Sequence, residues 1–211
     1  MSPTQAVGGV RLTRLDPAGY RHTPWKNGGG ITIDIAESLL PGFLPGSWEG
    51  LVWRFGRTAI VTPGPFSDLS GFDRQQVLVA GSGLVLETPD GEIDVRRPFT
   101  PVRFAGETRI VSRLETGPVE VVNLLGDRSR VSTDLWCLAA GATNSCPAGI
   151  HILYAAATSC DLTINGNACE LATGHAIRID AEESFAIASR VGTVIVASIF
   201  PVVRTSTSGD A

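Results

Sequence analysis

Along most of this chain apolar and polar residues alternate with a period of two, and the 3.6-residue periodicity of an amphipathic helix is hard to find. The alternation comes in short β-branched runs separated by Gly, Pro, Asn and Asp. It predicts strands over 31–36, 51–61, 76–80, 84–87, 92–96, 119–125 and 133–139, and again over 150–155, 162–164, 168–171, 176–179 and 193–200. Many short strands with almost no helix imply a sandwich or barrel.

The second group of strands repeats the first. With residue n set beside n + 75, "VLVA" (77–80) faces "ILYA" (152–155), "PVRFAGE" (101–107) faces "AIRIDAE" (176–182), and "VEVVNLL" (119–125) faces "VIVASIF" (194–200). The Asp90-Gly91 and Asn165-Gly166 turns coincide as well. The second of these predicts a hairpin that pairs Ile164 with Asn167 and Leu162 with Cys169. "LATGHAIRI" (171–179) resembles the late hairpin of a cupin, a fold whose interior is its binding site. The expected architecture is all-β: a bicupin of two small conical barrels or jelly rolls from an internal duplication. Its halves are expected over 1–130 and 131–203, with a polar tail over 204–211.

Composition narrows the function. The 211 residues are 43% apolar and 18% charged, as in ordinary globular proteins. The net charge is −4 with no basic run, which argues against a duplex nucleic-acid partner. The start "MSPTQAVGGVRL" lacks the basic and apolar regions of a signal peptide, and the apolar stretch 191–203 is too short and interrupted to span a bilayer. No membrane partner and a cytoplasmic location are expected. Cys137, Cys146, Cys160 and Cys169 lack the close pairs of a zinc site, and buried free thiols are expected.

Candidate chemistry is sparse. Three histidines, His22, His151 and His175, lie far apart with no H-x-H, so neither a metal site nor any cofactor is expected. No G-x-S-x-G is present. Lys26-Asn27-Gly28-Gly29-Gly30 is not a phosphate loop: its lysine precedes the glycines, and an extended segment follows instead of a helix. It reads either as the rim of a barrel, with Lys26 and Asn27 facing a ligand, or as a structural entry into a strand. Other polar residues interrupt apolar runs: Arg54 after Trp53, Arg74 after Asp73, and Asn123 within "VEVVNLLG". Buried polar groups need partners, so each arginine either makes a structural ion pair or forks onto a ligand carboxylate. Alternation puts Val119, Val121 and Asn123 on one face without saying which face is inward.

In order and spacing, "PWKNGGG" with "TIDIA", then "VWRFGRTAI", "GPFSDLSGFDRQQVLVAGSGLVL" and "VNLLGDR" resemble the HutD/Ves family of bicupins, over roughly residues 10–130. The remaining third resembles only a second, degenerate cupin half. The resemblance implies a two-cupin fold without the usual metal ligands. It also implies a link to histidine utilisation, whose flux the family is proposed to sense or limit by binding an early acidic imidazole metabolite such as urocanate. That favours a binder over an enzyme. The matched positions are Lys26, Asn27, Gly29, Gly30 and Thr32, then Trp53 and Arg54, then Ser67, Gly71, Asp73 and Arg74, and Asn123. Ile33-Asp34 stands where the family has Arg-Glu, Val122-Asn123 where Phe-Asn is usual, and Leu125 replaces a Met.

The expectation is a non-catalytic bicupin that binds a small urocanate-like carboxylate through Lys26, Asn27, Thr32, Arg54, Ser67, Arg74 and Asn123. Lys26 and Arg54 would supply charge, Ser67 and Asn123 neutral hydrogen bonds, and a homodimer could form through edge strands. The alternative is a metal-independent isomerase or hydrolase of a small carboxylic acid, with Asp34 or Asp73 as general base. A third reading is an oligomeric interaction module with a vestigial pocket.

Overall fold

A computed structural model of the protein describes residues 4–7, 9–24 and 30–202. Lys26, Asn27 and the tail 204–211 lie outside the described residues. In chain order the first half holds β1 Thr4–Val7, β2 Val10–Leu15, β3 Arg21–Pro24, β4 Gly30–Leu39, β5 Leu51–Ile60, β6 Gly64–Pro65, β7 Phe72–Ala80, β8 Leu84–Thr88, β9 Gly91–Asp94, β10 Val102–Ala105, β11 Val111–Leu114 and β12 Val119–Asp127. The second half holds β13 Val131–Leu138, β14 Thr143–Cys146, β15 Gly149–Tyr154, β16 Cys160–Ile164, β17 Asn167–Leu171, β18 Ala176–Ala181, β19 Phe185–Val191 and β20 Val194–Pro201. The one helical segment among the described residues is a three-residue 3₁₀ turn, Pro17–Gly19. No described helix is long and apolar enough to cross a membrane.

The strands form four antiparallel sheets, and the duplication is visible in their order. The first large sheet runs β10-β7-β12-β5-β4-β3, and the second contains β18-β15-β20-β13 in the matching sequence. The small sheets β6-β11-β8-β9 and β14-β19-β16-β17 match position for position. Each half is therefore a pair of facing sheets, the jelly-roll form of the cupin fold, and not a closed barrel. The predicted hairpin keeps its register, with Leu162 opposite Cys169 and Ile164 opposite Asn167. All four cysteines are free, three of them buried and Cys137 half-buried.

One expected boundary needs correction. The first strands do not belong to the first half: β2 pairs with β18, so β1 and β2 extend the second large sheet. Val10 and Leu12 accordingly pack in the second module's core. Their six-residue strand was too short, and too interrupted by Thr and Arg, to stand out in the alternation.

Period-two geometry sends alternate residues of a strand to opposite faces. On β12, Val119 and Val121 enter the first module's interior with Ile60, Leu78, Leu84 and Leu86. Val122 and Leu124 face the other way, with Phe55, Val77, Ile152, Tyr154 and Ile195, in a core shared by the two large sheets. The inward face of the first module is thereby settled: it is the face that carries Asn123.

Candidate functional site

The inward face of the first large sheet changes from apolar to polar along its strands. Reading across β4, β5, β12, β7 and β10, one row is Thr32, Thr58, Val121 and Leu78, with no partner on β10. The next is Asp34, Gly56, Asn123, Gln76 and Val102. The third is Glu37, Arg54, Leu125, Arg74 and Phe104. Asp34 and Glu37 share this face although they are three residues apart, because a β-bulge between Asp34 and Ala36 reverses the alternation.

On the β4 side the polar groups satisfy one another. Arg54, 7% exposed, donates from Nε to Glu37 Oε2 at 3.1 Å and from Nη2 to the Ser47 carbonyl at 2.8 Å, and its guanidinium lies 4.6 Å from the Trp48 ring. Arg21 donates to Glu37 Oε1 at 3.0 Å and to Asp34 Oδ2 at 2.5 Å. Burial pushes the Glu37 carboxyl up, but the Arg21 hydrogen bond, the Gly46 N–H and the Arg54 charge outweigh it and hold the group below its ordinary range. Asn123 Nδ2 donates to Thr58 Oγ1 at 3.1 Å, and Thr58 Oγ1 lies 3.3 Å from Thr32 Oγ1.

On the β7 side they do not. The Arg74 guanidinium sits between the rings of Phe66 at 5.0 Å and Phe104 at 5.1 Å, and Nη1 reaches the Ser67 carbonyl at a long 3.4 Å. No carboxylate forms an ion pair with it among the described residues, its Nε lacks a hydrogen-bond partner, and burial lowers its pKa to about 10. Gln76 is 0% exposed, and among the described residues neither its Nε2 nor its Oε1 has a hydrogen-bond partner. Its neighbour Gln75, on the opposite face, is fully used: Nε2 donates to the Thr133 carbonyl and hydroxyl at 2.9 Å, and Oε1 accepts from the Leu135 N–H at 2.7 Å. The contrast is local and chemical. Gln75 ties the two modules together, while Gln76 points a complete amide into the first module with no bonding partner among the described residues.

Of the sequence-derived candidates, Thr32, Arg54, Arg74 and Asn123 thus share one sheet face. Ser67 is exposed in the loop before β7 and contributes its carbonyl to Arg74. Asp34 is ion-paired with Arg21, and Asp73 with Arg128 at 3.2 Å, so both carboxylates face guanidinia. Gln76, Thr58, Glu37 and Phe66 were not among the expected residues. The only cue to Gln76 was an amide at the head of the apolar run "VLVA".

In the second module the same positions are closed. His151 and Ser198 are the cross-strand pair equivalent to Gln76 and Asn123 at the offset of 75 residues. His151 Nε2 lies 2.9 Å from the Pro147 carbonyl and must donate to it, so Nδ1 accepts from the Ser198 hydroxyl at 3.0 Å. Gly149 replaces Arg74, and a Cβ there would lie 2.8 Å from the Phe200 ring. Phe200 and Phe185 meet the imidazole edge-on at 5.8 and 5.1 Å. A cavity of about 330 Å³ between Leu12, Arg14, Asn167 and Cys169 is the second module's other opening. Its cation is engaged, since Arg14 donates to the Glu170 carbonyl at 3.0 Å.

No three His, Cys, Asp or Glu side chains cluster among the described residues. Burial pushes the Cys137 thiol up to about 12 and Cys146 up to about 11, away from thiolate character.

Comparison with known proteins agrees with the fold. The HutD family model matches residues 17–196. An uncharacterised 21.2 kDa protein in the hutC 3' region of Pseudomonas putida is 26% identical over 156 residues, 74% of this chain and 80% of that protein. The structure of HutD from Pseudomonas fluorescens SBW25 superposes with a TM-score of 0.75 at 22% identity, covering 91% of this chain and all of that one. A conserved protein of unknown function from Pseudomonas aeruginosa PAO1 superposes with a TM-score of 0.77 at 20% identity, again over 91% of this chain and all of that one.

Proposed function

Because the chain belongs to the HutD family, we propose that it is a non-catalytic bicupin that binds a small carboxylate metabolite in its first module and thereby reports on histidine utilisation. The observation that carries this reading is the unpaired Arg74 beside the unpartnered Gln76 amide. A partly desolvated guanidinium without a counter-anion is costly, and a ligand carboxylate would supply the charge and an acceptor for Nε that the described residues do not. Asn123 adds an amide on the next strand, and Thr32 with Thr58 continues the polar row. Arg54 serves this site as the fixed wall behind it, since its donors are committed to Glu37 and Ser47. Lys26 and Asn27, which lie outside the described residues, keep the ligand-binding role that the family blocks imply.

Histidine utilisation enters through the family and through the position of the P. putida relative's gene in the hutC 3' region. Urocanate, an acid formed early in that breakdown, is the ligand of choice on the family resemblance. Binding without turnover is favoured by the engagement of the two carboxylates considered as general bases, Asp34 with Arg21 and Asp73 with Arg128.

The test is calorimetric titration with urocanate, histidine, formiminoglutamate and glutamate, followed by product analysis. Binding of urocanate with no product, lost in Arg74→Met, is the expected result. Turnover of any of them would replace the sensor by an enzyme, and no binding of any acid would end the carboxylate reading.

A further inference from the structure

We infer that the first module selects a small acid that also carries an N–H donor, with the carboxylate at the Arg74 end of the polar face and the N–H at Asp34 Oδ1. This deepens the carboxylate reading above and rests on it. Every buried side-chain polar atom without a hydrogen-bond partner among the described residues is Asp34 Oδ1, Arg74 Nε, Gln76 Nε2 or Gln76 Oε1. All four belong to the same inward face of one sheet. They fall on two strands with β12 and β5 between them: two residues on β7, one on β4.

The two ends are chemically opposite. Arg74 and the Gln76 amide offer donors and a positive charge. Asp34, 8% exposed, offers an acceptor: its Oδ2 is taken by Arg21, while Oδ1 lies 3.8 Å from Arg54 Nε, too far for a hydrogen bond. A carboxylate oxygen can only accept, so the matching ligand group is an N–H or O–H donor. Between the two ends stands Gly56, flanked by Asn123 and Asp34 in the same row. Gly56 adds no side chain to the row, and it must remain glycine because a Cβ there would lie 2.7 Å from the Ile33 carbonyl.

The span suits a small molecule. From β7 to β4 is three strand spacings, about 14 Å between Cα atoms on a flat sheet and less between side chains converging on the inward face. Arg74 and Gln76 reach in from one side and Asp34 from the other. A monocarboxylate with nothing at its far end would satisfy Arg74 and leave Asp34 Oδ1 buried without a hydrogen bond, which costs affinity. An acid ending in an N–H-bearing ring or amine satisfies both. Asp34 stands where the resembled family carries Glu, one methylene longer, so this end of the site is set by this chain's own residue.

The experiment compares two acids of nearly equal shape. Urocanate carries an imidazole N–H, and its furan analogue, furylacrylic acid, has the same carboxylate but no N–H. Titrated into the wild-type protein, urocanate should bind at least about tenfold more tightly, the usual cost of leaving a buried acceptor unpaired. In Asp34→Ala the two acids should bind within about twofold of each other, because the discriminating acceptor is gone. Circular dichroism establishes that the variant is folded, and Asp34→Ser, which keeps a hydroxyl for Arg21, replaces it otherwise. Equal binding of the two acids to wild type overturns this inference and leaves the carboxylate site standing. Discrimination that persists without Asp34 overturns the assignment of the acceptor. Failure of both acids to bind wild type overturns the inference together with the reading it rests on.

Discussion

Arg54 and Arg74 occupy one row of one sheet, separated by Leu125, and each is stacked on an aromatic ring, yet they do opposite work. Arg54 is bound into an ion network with Glu37, so removing it strands a buried carboxylate. Arg54→Ala should lower stability by about 3 kcal/mol, seen as a fall in the urea midpoint at unchanged slope. Arg74 pairs with no carboxylate among the described residues. Arg74→Met should leave stability unchanged or raise it by about 1 kcal/mol, since a desolvated charge is replaced by an apolar chain of similar length. The same change should weaken carboxylate binding about 30-fold, the value of a lost charge-assisted hydrogen bond of about 2 kcal/mol. If Arg74→Met unfolds the protein while Arg54→Ala does not, the roles are reversed. The sequence singled out both arginines as interruptions of apolar runs. It could not separate them, because the partner that distinguishes them, Glu37, reaches the same face only through the bulge at Ile35, and bulges leave no mark in an alternating pattern.

At the scale of strands and their pairs, the two modules diverge where their topology is most alike. Gln76 opposite Asn123 and His151 opposite Ser198 are the same cross-strand pair, but one is unsatisfied and the other closed on itself. The closed pair has a pH signature. Burial lowers the His151 pKa below its ordinary value, with the Pro147 hydrogen bond opposing, so the unfolded chain takes up the proton first. Stability from this group is then complete above the unfolded value of about 6.5 and is lost as pH falls below it towards the lower folded pKa. Melting temperature measured against pH should slope downward from about 6.5, and His151→Gln should flatten that slope at some overall cost in stability. An unchanged slope would place the titration elsewhere. Strands with strong alternation and the Asn165-Gly166 hairpin register were readable in advance, as was the offset that relates the modules. Strands β1, β2, β3, β6, β10, β11, β14 and β19 were not: most are six residues or fewer of mixed polarity and carry too little period-two signal to outweigh their surroundings, and the seven-residue β19 carries Ser189 and Arg190 near its end.

The whole molecule behaves as one unit because its middle layer belongs to neither half. Phe55, Val77, Val122 and Leu124 from one large sheet pack on Ile152, Tyr154, Ile195 and Ala197 from the other, and Gln75 bonds across to the backbone of β13. Arg57 reinforces the seam, donating to the Ala156 carbonyl at 2.9 Å and to the Tyr154 hydroxyl at 3.3 Å while pairing with Glu120 of its own sheet. The chain start adds a strand exchange, with β2 closing the second sheet against β18. A boundary drawn at residue 130 from sequence follows the duplication but severs both arrangements, since neither a shared core nor an exchanged strand is visible in a repeat offset. Cut there, residues 131–202 would lose β2 and expose the apolar face of β15 and β20, a patch of the kind that aggregates. That fragment should be insoluble on its own. The full chain should unfold in a single calorimetric transition with equal van't Hoff and calorimetric enthalpies. Two separable transitions would mean that the modules are coupled too weakly for ligand binding in the first to be felt at the second, and any signal would then have to leave through the first module alone.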